Sequence, residues 1–380
     1  MIPFNKPYLT GNENYYLTKA VNTGKISGNG YFTKLCQKYF DDKLKNQINL
    51  CTTSCTDALE MSAILANIQP GDEVIMPTFT FVSTANAFIL RGANIVFADS
   101  RFDHPGIDEE VLEALITKKT KAIVVVHYAG VSCDMDKILE IAKRYNLLVI
   151  EDAAQGIDSY YKDKPLGSIG DMGVFSFHET KNIQCGEGGL LSVNSSQFKE
   201  RAEIIWEKGT NRSAFWRGEV DKYNWLDIGS SFLPSELNTS FLFAQIEKIE
   251  EIQKKRKLIW GKYYKGLKIL KTRNILLPKI PTYSTNNAHM FYLICNSLKE
   301  RTELIHFLKK EGIMAVFHYM CLHESPYFRK KHDGRIMTNG NKYEKCLIRL
   351  PIWVNMSLNQ VEFVITKVLD FFNIESIENQ

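Results

Sequence analysis

The stretch "CTDALEMSAILANIQPGDEVIMPTFTFVSTANAFILRGANIVFADS", residues 55–100, decides the fold. "CTDALEMSAILANI" carries apolar residues at helical spacing, "DEVIMP" is a short apolar run, "VSTANAFILRG" is a helix that Gly92 stops, and "NIVFADS" is a second apolar run. The rhythm continues to residue 152. "DEEVLEALI" reads as a helix, "KAIVVVHY" as a strand, "DMDKILEIAKRYN" as a helix and "LLVIED" as a strand. Short runs rich in Val and Ile between helices make βαβ units, and hence a mostly parallel sheet covered on both faces. The predicted fold class is α/β.

From about residue 171 the pattern changes, because "MGVFSFH" and "GGLLSVN" lie close together with no crossover helix between them. Antiparallel or mixed pairing is expected there. The stretch from Ser235 to about Leu270 has helical periodicity and enough polarity to run along the outside as a connector. Beyond it, "HMFYLIC", "AVFHY" and "LIRLPIWV" read as strands interleaved with the helices "ERTELIHFLKKEG" and "LNQVEFVITKVLDFFN", a smaller α+β domain. The expected division is a large α/β domain over 1–245 and a small C-terminal domain over 246–380.

The 380 residues, 44% of them hydrophobic, suffice for one large core. A net charge of +4 implies no nucleic-acid partner, and the basic runs Lys254 to Lys257 and Arg329 to Lys331 read as solvated faces. The start, "MIPFNKPYLTGNENYY", lacks the pattern of a signal peptide, and no apolar run approaches the roughly 20 residues that span a bilayer. A cytoplasmic protein with no membrane partner is expected. The eight cysteines have no CxxC spacing and are expected to be reduced thiols, serving neither a zinc ribbon nor a disulfide framework.

In open α/β sheets ligands bind beyond the carboxyl ends of the strands. Asp152 stands at such an end, where it can serve a metal, a ribose or a protonated ring nitrogen, or cap the next helix. No GxGxxG follows an early strand, so a dinucleotide site is not indicated. The junction "LCTTSCTDALEM" instead offers Thr52, Thr53, Ser54 and Thr56 at a helix N-terminus, suited to one phosphate or to ordinary capping. "HETKN" begins like the HExxH zinc helix, but position 182 is Asn and the preceding "GVFSF" reads as a strand. His318 and His323 lack a nearby acidic ligand, so no metal site is expected. Lys181 follows a buried strand and precedes the glycines of "GEGG", residues 186–189, which allow close backbone approach. It can be a surface charge, or an amine in a desolvated pocket whose lowered pKa favours Schiff-base chemistry. A phosphate nest, a strand-end Asp and a lysine after a later strand are together the three handles of pyridoxal phosphate.

"VIEDAAQ", "GDMGVFSFHETKNIQCGEGG" and "FHYMCLHESPYF", with the stretch quoted first, resemble the DegT/DnrJ/EryC1/StrS family of sugar aminotransferases, within fold type I of pyridoxal phosphate enzymes. The resemblance runs from about Pro3 to the C-terminal helix. It implies that Lys181 is the Schiff-base lysine, Asp152 the partner of the pyridine nitrogen, and Gln155 the residue facing the phenolic oxygen. It further implies that Phe81 stacks on the ring, that Ser54, Cys55, Thr56 and Ser176 hold the phosphate, and that Ser231 stands where the family commonly has an Asn from the partner subunit. Cys55 replaces the usual Gly. Tyr31, His178, Asn182, Arg212, His318 and Tyr319 fall in stretches that border the sugar-nucleotide pocket or neighbour Lys181.

Within the family, "EKGTNRSAFWRGEVDKYNWLDIGSS" and "NAHMFYL" look closest to members that make dTDP-4-amino-4,6-dideoxygalactose for enterobacterial common antigen. The resemblance thus implies L-glutamate and dTDP-4-dehydro-6-deoxy-D-glucose as substrates, pyridoxamine phosphate as the intermediate cofactor form, and a homodimer sharing its active sites. A gluco-specific 4-aminotransferase or a 3-aminotransferase would carry the same motifs, and a catalytically silent cofactor sensor is the reading from another class.

Overall fold

A computed structural model describes residues 1–374. The helices α1 (Glu13–Asn22) and α2 (Tyr31–Leu44) precede an alternation of strands and helices: β1 (Ile48–Thr52), α3 (Cys55–Leu65), β2 (Glu73–Pro77), α4 (Val82–Ile89), β3 (Asn94–Ala98), α5 (Leu112–Leu115), β4 (Thr120–Val126), α6 (Met135–Tyr145) and β5 (Leu148–Asp152). After a short hairpin, β6 (Tyr160–Tyr161) and β7 (Lys164–Pro165), come β8 (Met172–Ser176) and β9 (Gly189–Val193). These strands, the hairpin aside, form a seven-stranded sheet ordered β1-β9-β8-β5-β4-β2-β3. The pairs from β8 to β3 run parallel, whereas β8 with β9 and β9 with β1 run antiparallel. The α/β class and the change of rhythm after residue 171 stand as expected.

Alternation along the strands builds two cores. Val74, Met76, Val124 and Ile150 face one side with α3 and α4, while Ile75, Ile123, Val125 and Val149 face the other. Each strand is buried on both faces, which is why each reads as a nearly unbroken apolar run.

The helices α7 (Lys199–Trp206) and α8 (Arg212–Trp216) follow, then α9 (Glu236–Ile246) and α10 (Ile249–Leu267). The expected single outer connector is two helices, and the first is not an outer one. In α9, Thr239, Ser240, Leu242, Ala244 and Gln245 are buried, and Glu236 accepts hydrogen bonds from the backbone N–H groups of Gly30, Phe32 and Thr33 at the start of α2. Its polar residues are spent on buried partners rather than on water. The basic run on α10 is not wholly solvated. Arg256 is buried with Ile252 and Ile259 on the inner face, and its guanidinium donates to the carbonyls of Ala288 and His289 at 3.1 and 2.7 Å.

A second sheet, β10 (Phe291–Ile294), β12 (Leu347–Leu350) and β11 (Val316–Phe317), is antiparallel with β12 in the middle. It packs with α10, α11 (Leu298–Lys310), α12 (Thr338–Cys346) and α13 (Leu358–Phe371) around a core including Tyr263, Phe291, Leu304, Ile348, Leu350 and Val364. The chain's first residues join this part: Ile2 bridges Ile313 and its N–H donates to Gly312.

Candidate active site

The carboxyl ends of β5 and β8, the N-termini of α3 and α4, and one face of the small sheet enclose a cavity of about 620 Å³. Strand β5 delivers two acidic residues to opposite faces. Glu151 turns away and is wholly buried, accepting from the N–H groups of Gly167, Ile169 and Gly170 and pairing with His127 at 2.9 Å. Asp152 faces the cavity. Its Oδ2 accepts from Thr84 Oγ1 at 2.7 Å and its Oδ1 from the Ala154 N–H at 3.2 Å. Burial pushes its carboxyl above the ordinary range, against the pull of these hydrogen bonds and of Lys181.

Lys181 enters the same cavity from the turn after β8, its N–H bonded to the His178 carbonyl. Burial drives its ammonium below the ordinary lysine value, Cys55 and Asp152 oppose that shift, and Arg349 adds to it. The pocket therefore shifts the amine toward its neutral, nucleophilic form.

The first turn of α3 closes a third side. Ser54 is its N-cap, accepting from Asp57 N–H at 3.1 Å, and Thr56 Oγ1 donates to Ser83 at 2.9 Å. Burial holds the Cys55 thiol well above its ordinary pKa, so the backbone amide, not a thiolate, is what Cys55 offers an anion. Gly189 makes the turn possible from behind: a Cβ there would lie 2.4 Å from the carbonyl of Ser54 and 2.5 Å from the Cys55 nitrogen. The glycines after Lys181 thus serve a different neighbour from the one expected. Gly186 takes φ +78° in a turn, Gly188 lies over the Cys185 sulfur, and Gly189 admits the α3 turn rather than giving room to the lysine.

Ser176, at the end of β8, and Phe81, the half-exposed residue before α4, both line the cavity. Gln155 accepts from the Ala129 N–H at 2.6 Å and donates to the Tyr319 hydroxyl at 3.1 Å, which fixes its amide. His318 and Tyr319 form the wall opposite, with His318 Nδ1 2.9 Å from the Tyr128 hydroxyl and the rings of Tyr319 and Phe81 6.1 Å apart. His178 is on the rim beside Glu187.

Four of the expected residues lie elsewhere. Asn182 is turned inward: its amide donates to Gln253 and to the Asn287 carbonyl, both at 2.8 Å, and accepts from His289 at 2.9 Å. Its polar capacity is used in tying the Lys181 loop to α10, so it does not reach the cavity. Tyr31, Arg212 and Ser231 are exposed and lie outside the cavity of their own chain. They belong to one neighbouring surface: Asn29 donates to Glu207, Glu207 bridges Ser231, and the Thr53 N–H before the α3 turn donates to the Phe232 carbonyl.

Sequence reading passes over Thr84, His289 and Arg349, which also line the cavity. Arg349 alone left a visible trace, a single charge inside the apolar run "LIRLPIWV".

The model of the DegT/DnrJ/EryC1/StrS aminotransferase family matches residues 7–369. The chain belongs to this family. With the family come its class, the sugar aminotransferases, and its cofactor, pyridoxal phosphate. Among curated relatives, the spore coat polysaccharide biosynthesis protein SpsC of Bacillus subtilis is 32% identical over 379 residues, covering 97% of this chain and 96% of that one. Among solved structures, Spr1654 from Streptococcus pneumoniae, assigned as a sugar aminotransferase, superposes in its PMP form with a TM-score of 0.90 at 25% identity, covering 98% of this chain and 99% of that one. The aminotransferase TlmJ from Streptoalloteichus hindustanus gives 0.89 at 26%, with 98% and 99% covered. The cavity suits the cofactor on its own terms: a Gly189-backed helix N-terminus for a phosphate, a hydrogen-bonded buried carboxylate for a ring nitrogen, and an amine with lowered pKa in the same cavity.

Proposed function

We propose that the enzyme transfers the amino group of L-glutamate to the 4-keto group of dTDP-4-dehydro-6-deoxy-D-glucose, giving dTDP-4-amino-4,6-dideoxy-D-galactose and 2-oxoglutarate. The observation that carries this reading is that Lys181, Asp152 and the α3 turn open into one cavity. Pyridoxal phosphate, when bound, supplies a carbonyl that condenses with amines and an electron sink for the pair left when a C–H bond breaks.

The chain's residues supply binding and proton transfer. Ser54, Cys55, Thr56 and Ser176 would hold the phosphate through hydroxyls, amides and the positive end of α3. Phe81 would lie against the ring, Gln155 would meet its phenolic oxygen, and Asp152, oriented by Thr84, would serve its nitrogen. Lys181 Nζ carries the cofactor at rest. Its free amine would take the proton from the donor's Cα in the first half-reaction and deliver a proton to C4 of the sugar in the second. His178, His318 and Tyr319 border the sugar. Ser231, with Tyr31 and Arg212, acts across a homodimer interface on the site of the other subunit, a role supported by their exposure and by the Arg212 guanidinium lying over the exposed Trp216 ring. The working enzyme is a cytoplasmic dimer of two-domain subunits, 1–245 and 246–380. The likeness to SpsC supports a place in polysaccharide biosynthesis.

The test is to incubate the purified holoenzyme with L-glutamate and dTDP-4-dehydro-6-deoxy-D-glucose and to assign the product by NMR. An axial amine at C4, the galacto configuration, is expected. A gluco or 3-amino product would replace the substrate assignment, and no product from any nucleotide-linked keto-sugar would overturn the reading.

A further inference from the structure

We infer that Arg349 receives a carboxylate of the amino donor. Strand β12 is the middle strand of the small sheet, and Ile348 and Leu350 point into the core formed with α10 and α13. Alternation turns Arg349 to the opposite face, next to its cross-strand partner Tyr292, and into the cavity that holds Lys181. There its guanidinium carbon lies 4.6 Å from the centre of the Phe4 ring, and its Nε is buried without a hydrogen-bond partner. Among the described residues no carboxylate pairs with it. The two that line the cavity are otherwise placed: Asp152 is bound by Thr84 and Ala154, and Glu187 sits on the rim beside His178. Arg349 is partly exposed, but a cation with its Nε buried and without a counter-ion is costly to keep unless a ligand supplies the charge. The planar fork of arginine matches a carboxylate through two parallel hydrogen bonds.

This inference rests on the aminotransferase reading above. Both substrates are anionic, and position separates them. The α-carboxylate is attached to the carbon that Lys181 deprotonates, whereas the diphosphate of a nucleotide sugar is attached at C1, remote from the reacting C4. Arg349 lies close enough to Lys181 to depress its proton affinity, which suits the anion on the reacting carbon.

The test uses the holoenzyme with Arg349→Gln and Arg349→Lys, and two readouts: KM for each substrate, and calorimetric binding of glutarate, a dicarboxylate that lacks an amine. Arg349→Gln should raise the KM for L-glutamate and the Kd for glutarate at least about tenfold, the loss of one charge-assisted pair, with the KM for the nucleotide sugar nearly unchanged. Arg349→Lys should fall between, since it keeps the charge without the fork. If Arg349→Gln does not fold, the same split in Arg349→Lys decides. A shift in the nucleotide-sugar KM alone, or unchanged glutarate binding, overturns the assignment. Wild-type enzyme that fails to transaminate would overturn the reading of function, and the glutarate arm would still decide Arg349.

Discussion

Thr84 Oγ1 donates to Asp152 Oδ2 over 2.7 Å, linking the first turn of α4 to the carboxyl end of β5 across 68 residues of sequence. The bond does two things at once: it fixes the carboxylate's direction and it counters the burial that pushes the carboxyl toward its neutral form. Thr84→Val keeps the shape and removes the donor. A hydrogen bond to a charged group contributes about 1.5 to 3 kcal/mol, so kcat should fall about tenfold to a hundredfold. Steady-state kinetics at saturating substrates checks this. Asp152→Asn should cost more, and an unchanged rate would remove Asp152 from its role.

The pH dependence of Lys181 has a defined sign. Because burial shifts the amine toward its neutral form, reaction of apoenzyme with pyridoxal should rise with pH through a midpoint below the ordinary lysine value and level off above it. Asp152 raises the lysine's proton affinity and Arg349 lowers it. Asp152→Asn should therefore move the midpoint to lower pH, and Arg349→Gln should move it to higher pH. Shifts in the reverse directions would contradict the electrostatic account.

Gly186 and Gly189 separate strain from steric exclusion. Alanine at 189 would drive a methyl into the Ser54–Cys55 backbone, so the α3 turn must shift and affinity for pyridoxal phosphate should drop at least about tenfold, read by fluorescence titration of apoenzyme. Alanine at 186 meets nothing within 4 Å but must hold φ +78°, so it should lower stability by about 1 to 2 kcal/mol and leave cofactor affinity unchanged.

Much of this arrangement was legible in the sequence. Strands β2 to β5 are short apolar runs between helices, and Asp152 and Lys181 sit at strand ends where polar residues are conspicuous. The misread parts share one cause, contacts between distant segments. The polarity of "SELNTSFLFAQIEKIEEIQKKRK", residues 235–257, suggests an exposed connector, yet Glu236 and Gln245 are spent on buried partners, Glu236 at the start of α2 and Gln245 on Tyr8 and Glu13. Arg256 looked solvated because its partners, the carbonyls of Ala288 and His289, are more than thirty residues away. Thr84 looks like any helix threonine until Asp152 is placed beside it.

Asn182 gives a test of structure against substrate contact. Asn182→Ala leaves the groups of Gln253, Asn287 and His289 unpaired in a buried site, which should destabilise the fold by about 2 to 4 kcal/mol. Urea unfolding of the apoenzyme measures it. The KM for the nucleotide sugar should stay near the wild-type value, and a large rise in that KM with stability intact would return Asn182 to the substrate pocket.

Lys181 should be the residue on which the cofactor is held. Borohydride reduction of the holoenzyme, followed by peptide mass spectrometry, fixes the cofactor on whichever lysine holds it. A phosphopyridoxyl group is expected on Lys181 in the peptide containing "HETKNIQC", with no labelled lysine in Lys181→Ala, which should also lack turnover. A label on any other lysine of the wild-type enzyme, or full activity in Lys181→Ala, would contradict that assignment.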